Sequence, residues 1–248
     1  MITPCRFIYP YYNNPKMLEL QVANWNRLEG ELRDAIRILV IDDHSKMSPV
    51  PILEKCKAVV RCFRLAADWP FNMHEARNIG AKEACKKGEN MWLYMSDIDI
   101  VLTPEMAFTM LTKELDPGKH YTFERTFAPN MHDRKVHINT FLVKHSVYWT
   151  VNGYDLDLAA IGGGGYGGDN QFLRQVAVLA PEEHMSDVVL IGYGRREREG
   201  SAVIPDADTN NYDRAYWHDR YVAALKRKKK SGDMRSVRPI RTAYTRML

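Results

Sequence analysis

The chain has few of the features that mark membrane proteins, disulfide scaffolds or zinc-binding domains. No apolar run approaches the ~20 residues that span a bilayer, and the start, MITPCRFIYPYY, lacks the charged-then-apolar layout of a secretory signal. The four cysteines form no C-x-x-C pair and have no histidines at zinc-ligand spacing. We therefore expect a cytoplasmic protein with reduced thiols and no transmembrane segment.

Acidic residues are almost missing from the end of the chain. Residues 226–248 contain nine of the 35 lysines and arginines and a single acid, Asp233. Because the whole chain of 248 residues has a net charge of +4, the first 225 residues carry −4. With 45% hydrophobic and 27% charged residues, the composition is that of a soluble globular domain. We predict one domain over residues 1–225 and a basic C-terminal extension over residues 226–248.

The first hundred residues alternate β-rich apolar runs with helical patterns. Strands are predicted at 5–9, 36–41, 59–65 and 90–95, and helices at 15–28 and 72–87. This alternation predicts βαβ units in a mainly parallel sheet with right-handed crossovers. The later predictions are helices at 104–115, 169–178 and 212–229, strands at 121–127, 140–144 and 188–191, and a flexible glycine loop at 162–168.

Acidic pairs follow two of the predicted strands. Asp97 and Asp99 come after NMWLYM, and two carboxylates so close repel each other unless a cation lies beside them. Mn²⁺ or Mg²⁺ bound to nucleotide phosphates meets that need, and a solvated loop is the alternative. Asp42 and Asp43 end the run IRILVI, where they would bind a base or ribose or simply cap the next turn. In parallel sheets these strand ends lie at one edge, where ligands bind.

Six segments in order resemble one enzyme family. They are YPYYNNP, VIDDHS, ARNIGAKEA, YMSDID, NGYD and GYGGDNQF. Together they are similar to the signature of inverting, family-two-like glycosyltransferases of the GT-A fold. The resemblance implies an α/β fold with a central, mainly parallel mixed sheet flanked by helices. It also implies transfer of a sugar from a UDP-sugar to an acceptor hydroxyl, with Mn²⁺ or Mg²⁺ as cofactor.

The resemblance also assigns residues to the nucleotide and the metal. Asp97 would face the ribose and the metal, and Asp99 would be the main protein ligand of the metal. Arg77 would lie near the nucleotide or its phosphates, although a surface position on its helix is an open alternative. The remaining nucleotide-binding residues implied are Tyr11, Asn13, Asp42 and Asp43, with Asp42 supporting Asp43.

Asp169 matches the acid that these enzymes use to deprotonate the acceptor. Inverting displacement needs a general base, because the acceptor hydroxyl loses its proton as it attacks. Many relatives have Gly-Glu-Asp at this point, whereas this chain has Gly167-Gly168-Asp169. A helix N-terminal role for Asp169 is the alternative, and the two roles are compatible.

Other parts of the expected site stay open at this level. Tyr193 stands where several relatives place a metal-binding histidine, which leaves His184, His218 or neither as the third ligand. Tyr154, Tyr166 and Trp149 would either stack on a sugar or pack in the core. Because the glutamate is missing, a second class of function stays open, namely a catalytically weak protein that binds a nucleotide sugar or a polyanion.

The basic tail bears on the acceptor. A run such as KRKKK binds polyanions with a steep salt dependence, or it is simply a solvated helix end. One hypothesis is an anionic membrane surface with lipid-linked acceptors. The other is a hydroxymethylated DNA base, which must be exposed or flipped out of the duplex. The lack of transmembrane segments favours a soluble acceptor, either a glycan or small molecule or a polyanion such as DNA.

Overall fold

The apolar runs of the first hundred residues form the centre of a nine-stranded sheet. The computed structural model describes residues 1–67, 72–128, 131, 134–156, 166–193, 222–223, 226–227, 230, 240 and 242–248. Within them the strands are β1 (Cys5–Tyr11), β2 (Ile36–Asp42), β3 (Val60–Leu65), β4 (Trp92–Met95), β5 (Ile100–Val101), β6 (His120–Phe127), β7 (Lys135–Lys144), β8 (Glu182–Gly192) and β9 (Tyr244–Arg246).

The strand order is β5-β8-β6-β7-β4-β1-β2-β3-β9. Strands β4, β1, β2 and β3 are mutually parallel, as the alternation of strands and helices predicts. Strand β7 runs antiparallel between β4 and β6, and β8 is parallel to β6. The expectation of a mixed sheet with a parallel centre is therefore confirmed.

Helices cover both faces of the sheet. They are α1 (Pro15–Trp25), α2 (Gly30–Ala35), α3 (Val50–Leu53), α4 (Met73–Ala84), α5 (Pro104–Thr112), α6 (His145–Thr150) and α7 (Tyr166–Leu179). Helix α1 begins where the sequence predicts, because the Asn14 side chain accepts a hydrogen bond from the Met17 amide and Pro15 occupies the first turn.

Successive strand residues feed two separate cores. On β1, Phe7 and Tyr9 pack towards α1 and α5, whereas Ile8 packs towards α4. Burial on both faces explains why these strands are nearly continuous apolar runs. Helix α4 lies close against the sheet, since a side chain at Gly80 would overlap Ile8. Its packing fixes the helix that carries much of the site.

Strands β7 and β8 are longer than predicted. The sequence predicts a strand only from residue 140, but β7 begins at Lys135. The inward-facing residues of this first half are polar, so they do not show the apolar pattern of a strand. Strand β8 begins at Glu182 rather than at residue 188, with a mostly exposed first half that lacks apolar alternation. The predicted loop at 162–168 is wrong at its end, since α7 already begins at Tyr166. Residues 157–165 and most of the predicted helix 212–229 lie outside the described residues.

The end of the chain returns to the sheet. Strand β9 pairs antiparallel with β3, and the Thr242 amide and hydroxyl donate to the buried carboxylate of Glu75 at 2.6 and 2.9 Å. Residues 242–248 of the predicted extension are therefore packed on the domain, while the boundary at residue 226 stays a prediction. In the described part of the chain, no helix has the length and apolar character needed to cross a membrane.

Candidate active site

The candidate site lies at the edge of the sheet where β1, β2 and β4 end. Tyr11 is opposite Asp42 in the parallel register of β1 and β2, and Ile8 is opposite Met95 at the end of β4. The loops that follow these strands therefore meet at one edge, where open parallel sheets bind their ligands.

The loop after β1 is tied to the loop after β2. The Asn13 amide donates to Ser45 Oγ at 3.0 Å, and Asn13 Oδ1 accepts from the Lys46 amide at 2.7 Å. Asn13 adopts a left-handed φ of 42°. Among the described residues, the buried Asn13 Nδ2 has no hydrogen-bond partner.

Asp42 and Tyr11, two residues expected at the nucleotide, have buried side chains. Asp42 is fully buried, and its carboxylate accepts from the Ser45 amide at 2.9 Å and pairs with Arg64 Nη1 at 2.8 Å. The capping interpretation is thus correct for Asp42, which supports the loop of Asp43. The Tyr11 side chain belongs to the core, where burial, with a contribution from Asp42, raises its pKa to about 12. Its carbonyl accepts from the Asp43 amide at 2.9 Å.

Arg77 is buried, so the alternative of a surface position on its helix is wrong. Its side chain is fully buried on α4, and Nη2 donates to Asp97 Oδ1 at 2.5 Å and to the Asn139 carbonyl at 3.1 Å. Nη1 donates to Tyr154 Oη at 3.0 Å and to Asp169 Oδ1. Burial opposes the charge of Arg77, but Tyr154, Asp169 and Asp97 raise its pKa above the ordinary value. One permanent cation therefore links the acid after β4 to the acid of α7.

Asp169 lies in the first turn of α7 and is fully buried. Its Oδ1 accepts from Arg77 and lies 3.6 Å from His74 Nε2. Burial raises the pKa of Asp169, but Arg77, His74 and Tyr154 outweigh burial and hold the pKa below its usual range. Within the described part of the chain, Oδ2 has no hydrogen-bond partner. Asp169 is thus an oriented carboxylate with one unpaired oxygen.

Stacked rings hold this carboxylate in place. Tyr154 stacks on His74 at 4.7 Å and on Phe172 at 4.2 Å between ring centroids. Both faces of Tyr154 are covered, so the hypothesis that Tyr154 stacks on a sugar is wrong and the packing alternative is correct. Trp149 contacts the rings of His145 and Tyr148, and the Tyr166 side chain lies outside the described residues.

The segment NGYD forms a tight turn beneath this stack. Asn78 Oδ1 accepts from Tyr148 Oη at 2.6 Å and from the Tyr154 amide at 2.8 Å. Gly153 has a φ of 68°, and a Cβ at that position would meet Asn78 Oδ1. Only glycine fits this approach without strain.

Several residues of the site were not predicted from the sequence. His74 lies three positions before Arg77 on one face of α4, so helical spacing was the signal that pointed to it. His137 and Asn139 lie on β7, and their alternation in HINTF was the available signal. Asn139 Nδ2 donates to Asp97 Oδ2 at 3.2 Å.

The residues at this edge of the sheet fit a divalent cation that takes most of its coordinating oxygens from a bound nucleotide rather than from the protein. No group of three or more His, Cys, Asp or Glu side chains within the described ranges is arranged to bind a metal by itself. Asp97 and Asp99 offer carboxylate oxygens, and the Asp97 side chain is 19% exposed. Mg²⁺ characteristically takes one or two carboxylates and completes its shell with phosphate oxygens and water.

His184 is the candidate for a third metal ligand that the described residues include. His184 lies 3.3 Å from Thr122 Oγ1 and 3.7 Å from Glu124 Oε1, on the sheet beside β6, and none of its described contacts is with Asp97 or Asp99. His218 lies outside the described residues. Tyr193 lies beside the loop of Asp99, because its amide donates to the Asp99 carbonyl at 2.9 Å.

The fold and this edge define a glycosyltransferase of the GT-A fold. The chain is similar to a mannosyltransferase from Pyrobaculum calidifontis in complex with GDP-Man and Mn²⁺, with 12% identity, a TM-score of 0.58, and coverage of 94% of this chain and 76% of that one. It is similar to S. aureus TarS 1-349 in complex with UDP-GlcNAc, with 14% identity, a TM-score of 0.62, and coverage of 92% and 73%. It is also similar to GalNAc-T7 with UDP, GalNAc and Mn²⁺, with 13% identity, a TM-score of 0.58, and coverage of 81% and 46%.

The family follows from the sequence itself. The profile described as glycosyl transferase family 2 matches residues 7–164, and the chain belongs to that family. No curated protein sequence matches the chain. The chain is therefore a glycosyltransferase.

Proposed function

We propose that this protein transfers a sugar from a UDP-sugar to an acceptor hydroxyl, with inversion and with Mn²⁺ or Mg²⁺ bound. The observation that carries the proposal is the pair of hydrogen bonds made by Arg77. Its Nη2 donates to Asp97, which would face the sugar donor, and its Nη1 donates to Asp169, which would face the acceptor. In this proposal Arg77 would hold the metal-binding acid Asp97 and the base Asp169 at a fixed separation. Structures of TarS and GalNAc-T7 contain UDP-GlcNAc and UDP, which supports a uridine donor.

The uridine would bind at the linked loops after β1 and β2. Asn13 Nδ2 offers a donor, and Asp43, buried and held by the backbone of Tyr11, offers a carboxylate for the base or ribose. Arg64 neutralises the neighbouring Asp42, so the loop does not carry two uncompensated buried charges. Tyr11 contributes through its backbone rather than through its side chain.

Asp97 and Asp99 would hold the divalent cation against the diphosphate. The cation supplies Lewis-acid stabilisation of the departing UDP. Asp97 is oriented for this task, because Arg77 and Asn139 each bind one of its oxygens. The mannosyltransferase and GalNAc-T7 structures contain Mn²⁺, which supports a divalent metal.

Asp169 would act as the general base through Oδ2. The acceptor oxygen forms a bond to the anomeric carbon, the bond from that carbon to UDP breaks, and the hydroxyl proton passes to Oδ2. Because its pKa is held low, Asp169 is ionised at neutral pH. It is also a weak base, so the proton transfers late, when the attacking hydroxyl has become acidic through its new bond to carbon.

The proposed acceptor group is a hydroxyl of a glycan, of a small molecule or of a hydroxymethylated DNA base. The basic residues that suggested DNA or an anionic membrane lie mostly outside the described residues, and the comparisons do not support a DNA acceptor. A salt titration distinguishes the classes, since DNA glycosylation falls steeply with added salt while transfer to a neutral glycan does not.

Release of UDP from UDP-glucose, UDP-galactose and UDP-GlcNAc, with and without Mn²⁺, tests the donor and metal assignments. At least one donor should be turned over only with the metal, and Asp99→Ala should lower the rate at least about 100-fold. Asp187→Ala is the matched control. Asp187 is an exposed acid on β8, and its carboxylate pairs with Lys113. Turnover that persists in Asp99→Ala contradicts the metal assignment, and no turnover of any nucleotide sugar contradicts the proposal.

A further inference from the structure

Strand β7 carries two buried polar side chains, His137 and Asn139, with side-chain atoms to which the proposed reaction gives no role. Phe141 and Val143 face the core beneath α4 and α7, and Asn139 and His137 continue the same row at steps of two. His137 and Asn139 are each 7% exposed. In the described structure, His137 Nδ1 and Asn139 Oδ1 have no hydrogen-bond partner. A buried polar atom without a partner destabilises the fold, so folded proteins keep few of them.

These atoms lie between the two ends of the proposed reaction. Asn139 Nδ2 holds Asp97, and the Asn139 carbonyl accepts from Arg77, which also holds Asp169. Asp169 Oδ2 is likewise buried and unpaired. In an inverting displacement the transferred sugar lies between the leaving diphosphate and the base. In the proposed reaction the transferred sugar would therefore lie beside this part of β7.

The chemistry of the two side chains suits sugar hydroxyl groups. An amide oxygen accepts hydrogen bonds, and a neutral imidazole donates through one nitrogen and accepts through the other. Burial lowers the pKa of His137 to about 4, against the opposing effect of Asp97, so the ring is neutral at pH 7. A phosphate would need donors or cations at this point, whereas a sugar hydroxyl both donates and accepts.

We propose that His137 Nδ1 and Asn139 Oδ1 bind hydroxyl groups of the transferred sugar and thereby select the sugar of the donor. This inference rests on the proposed function. Once the loops after β1 and β2 have bound the nucleotide, β7 distinguishes one sugar from another. A site built to bind a hydroxyl discriminates strongly against a ligand that lacks it, because the protein groups are then left unpaired.

The test compares UDP with UDP-sugars in the full chain. Calorimetric titration with Mn²⁺ gives the Kd of UDP, UDP-glucose, UDP-galactose and UDP-GlcNAc for each variant. His137→Phe keeps a planar ring without nitrogens, and His137→Asn returns a polar atom near the position of Nδ1. His145→Phe is the control, since this half-buried histidine on α6 accepts from Trp149 Nε1 at 3.0 Å, and none of its described contacts is with a residue of the site.

His137→Phe should weaken binding of the preferred UDP-sugar at least about tenfold and leave the Kd of UDP within about twofold. His137→Asn should restore most of the affinity, and the control should match the wild type. Equal losses for UDP and UDP-sugar, or no loss, overturn the inference. A wild-type chain that binds neither UDP nor any UDP-sugar contradicts the proposed function itself.

A second measurement on the wild-type chain does not depend on a stable Phe variant. The ¹⁵N-histidine NMR spectrum reports on the eight histidines, and His137→Asn identifies the His137 signal. That signal should shift with the preferred UDP-sugar and stay nearly unchanged with UDP. A His137 signal that responds identically to UDP and UDP-sugar overturns the inference.

Discussion

At the scale of single residues, the site is organised by one buried cation. Arg77 is fully buried and offers its donors to two carboxylates, Asp97 and Asp169, which would otherwise carry unpaired charge in a low-dielectric interior. The planar guanidinium suits this bridge, because two nitrogens separated by a fixed geometry reach both acids. Sequence reasoning placed Arg77 in the site from the motif ARNIG, but the motif does not reveal which partners lie around it.

Arg77→Lys tests the bridge. A lysine keeps the positive charge but has one nitrogen, so it reaches one acid and releases the other. We expect kcat to fall at least about tenfold even where the variant remains folded. Steady-state kinetics measure the loss. Arg61→Lys is the control, because Arg61 on β3 donates to the Glu83 carbonyl and none of its described contacts is with Asp97 or Asp169. A normal kcat in Arg77→Lys contradicts the bridging role.

At the scale of elements, α4 connects the site to the end of the chain. The helix carries His74, Arg77 and Asn78 into the site, and Glu75 from its first turn binds Thr242 just before β9. Periodicity predicted α4 well, since its apolar positions follow a helical repeat. It could not predict β9, because Tyr244–Arg246 is a short edge strand with exposed residues whose only cue is a partner distant in sequence. The polar start of β7 was not predicted for a related reason. Its inward-facing side chains, His137 and Asn139, are polar, so the apolar alternation of a strand is missing there.

Thr242→Val tests this connection. The substitution keeps the shape of the side chain but removes the hydroxyl that donates to Glu75 Oε2 at 2.9 Å. A buried carboxylate that loses a donor should lower the free energy of unfolding by about 1–3 kcal/mol. Denaturant unfolding measures the change. Thr245→Val, at an exposed position of β9, should stay within about 0.5 kcal/mol of the wild type. Equal stability of the two variants contradicts the role given to Thr242.

At the scale of the whole molecule, the charge asymmetry separates into two parts. In the body, four acids follow the ends of parallel strands and collect at one edge of the sheet, namely Asp42, Asp43, Asp97 and Asp99. Sequence order and the topology of βαβ units were enough to predict this edge, since parallel strands place their carboxyl ends together. They were not enough to show that Asp42 and Tyr11 act within the protein, because that depends on Arg64 and on the core around β1. The last residues of the basic tail belong to the sheet.

The central claim is that Asp169 is the base of an inverting glycosyltransferase, and Asp169→Asn tests it most directly. The amide keeps the shape of the side chain but cannot take the acceptor proton, so kcat should fall by about 10²–10⁴-fold while the Kd of UDP with Mn²⁺ stays close to that of the wild type. NMR of the wild-type product should show the anomeric configuration opposite to that of the donor. An Asp169→Asn variant with undiminished kcat, or a product that retains the donor's configuration, would contradict the account.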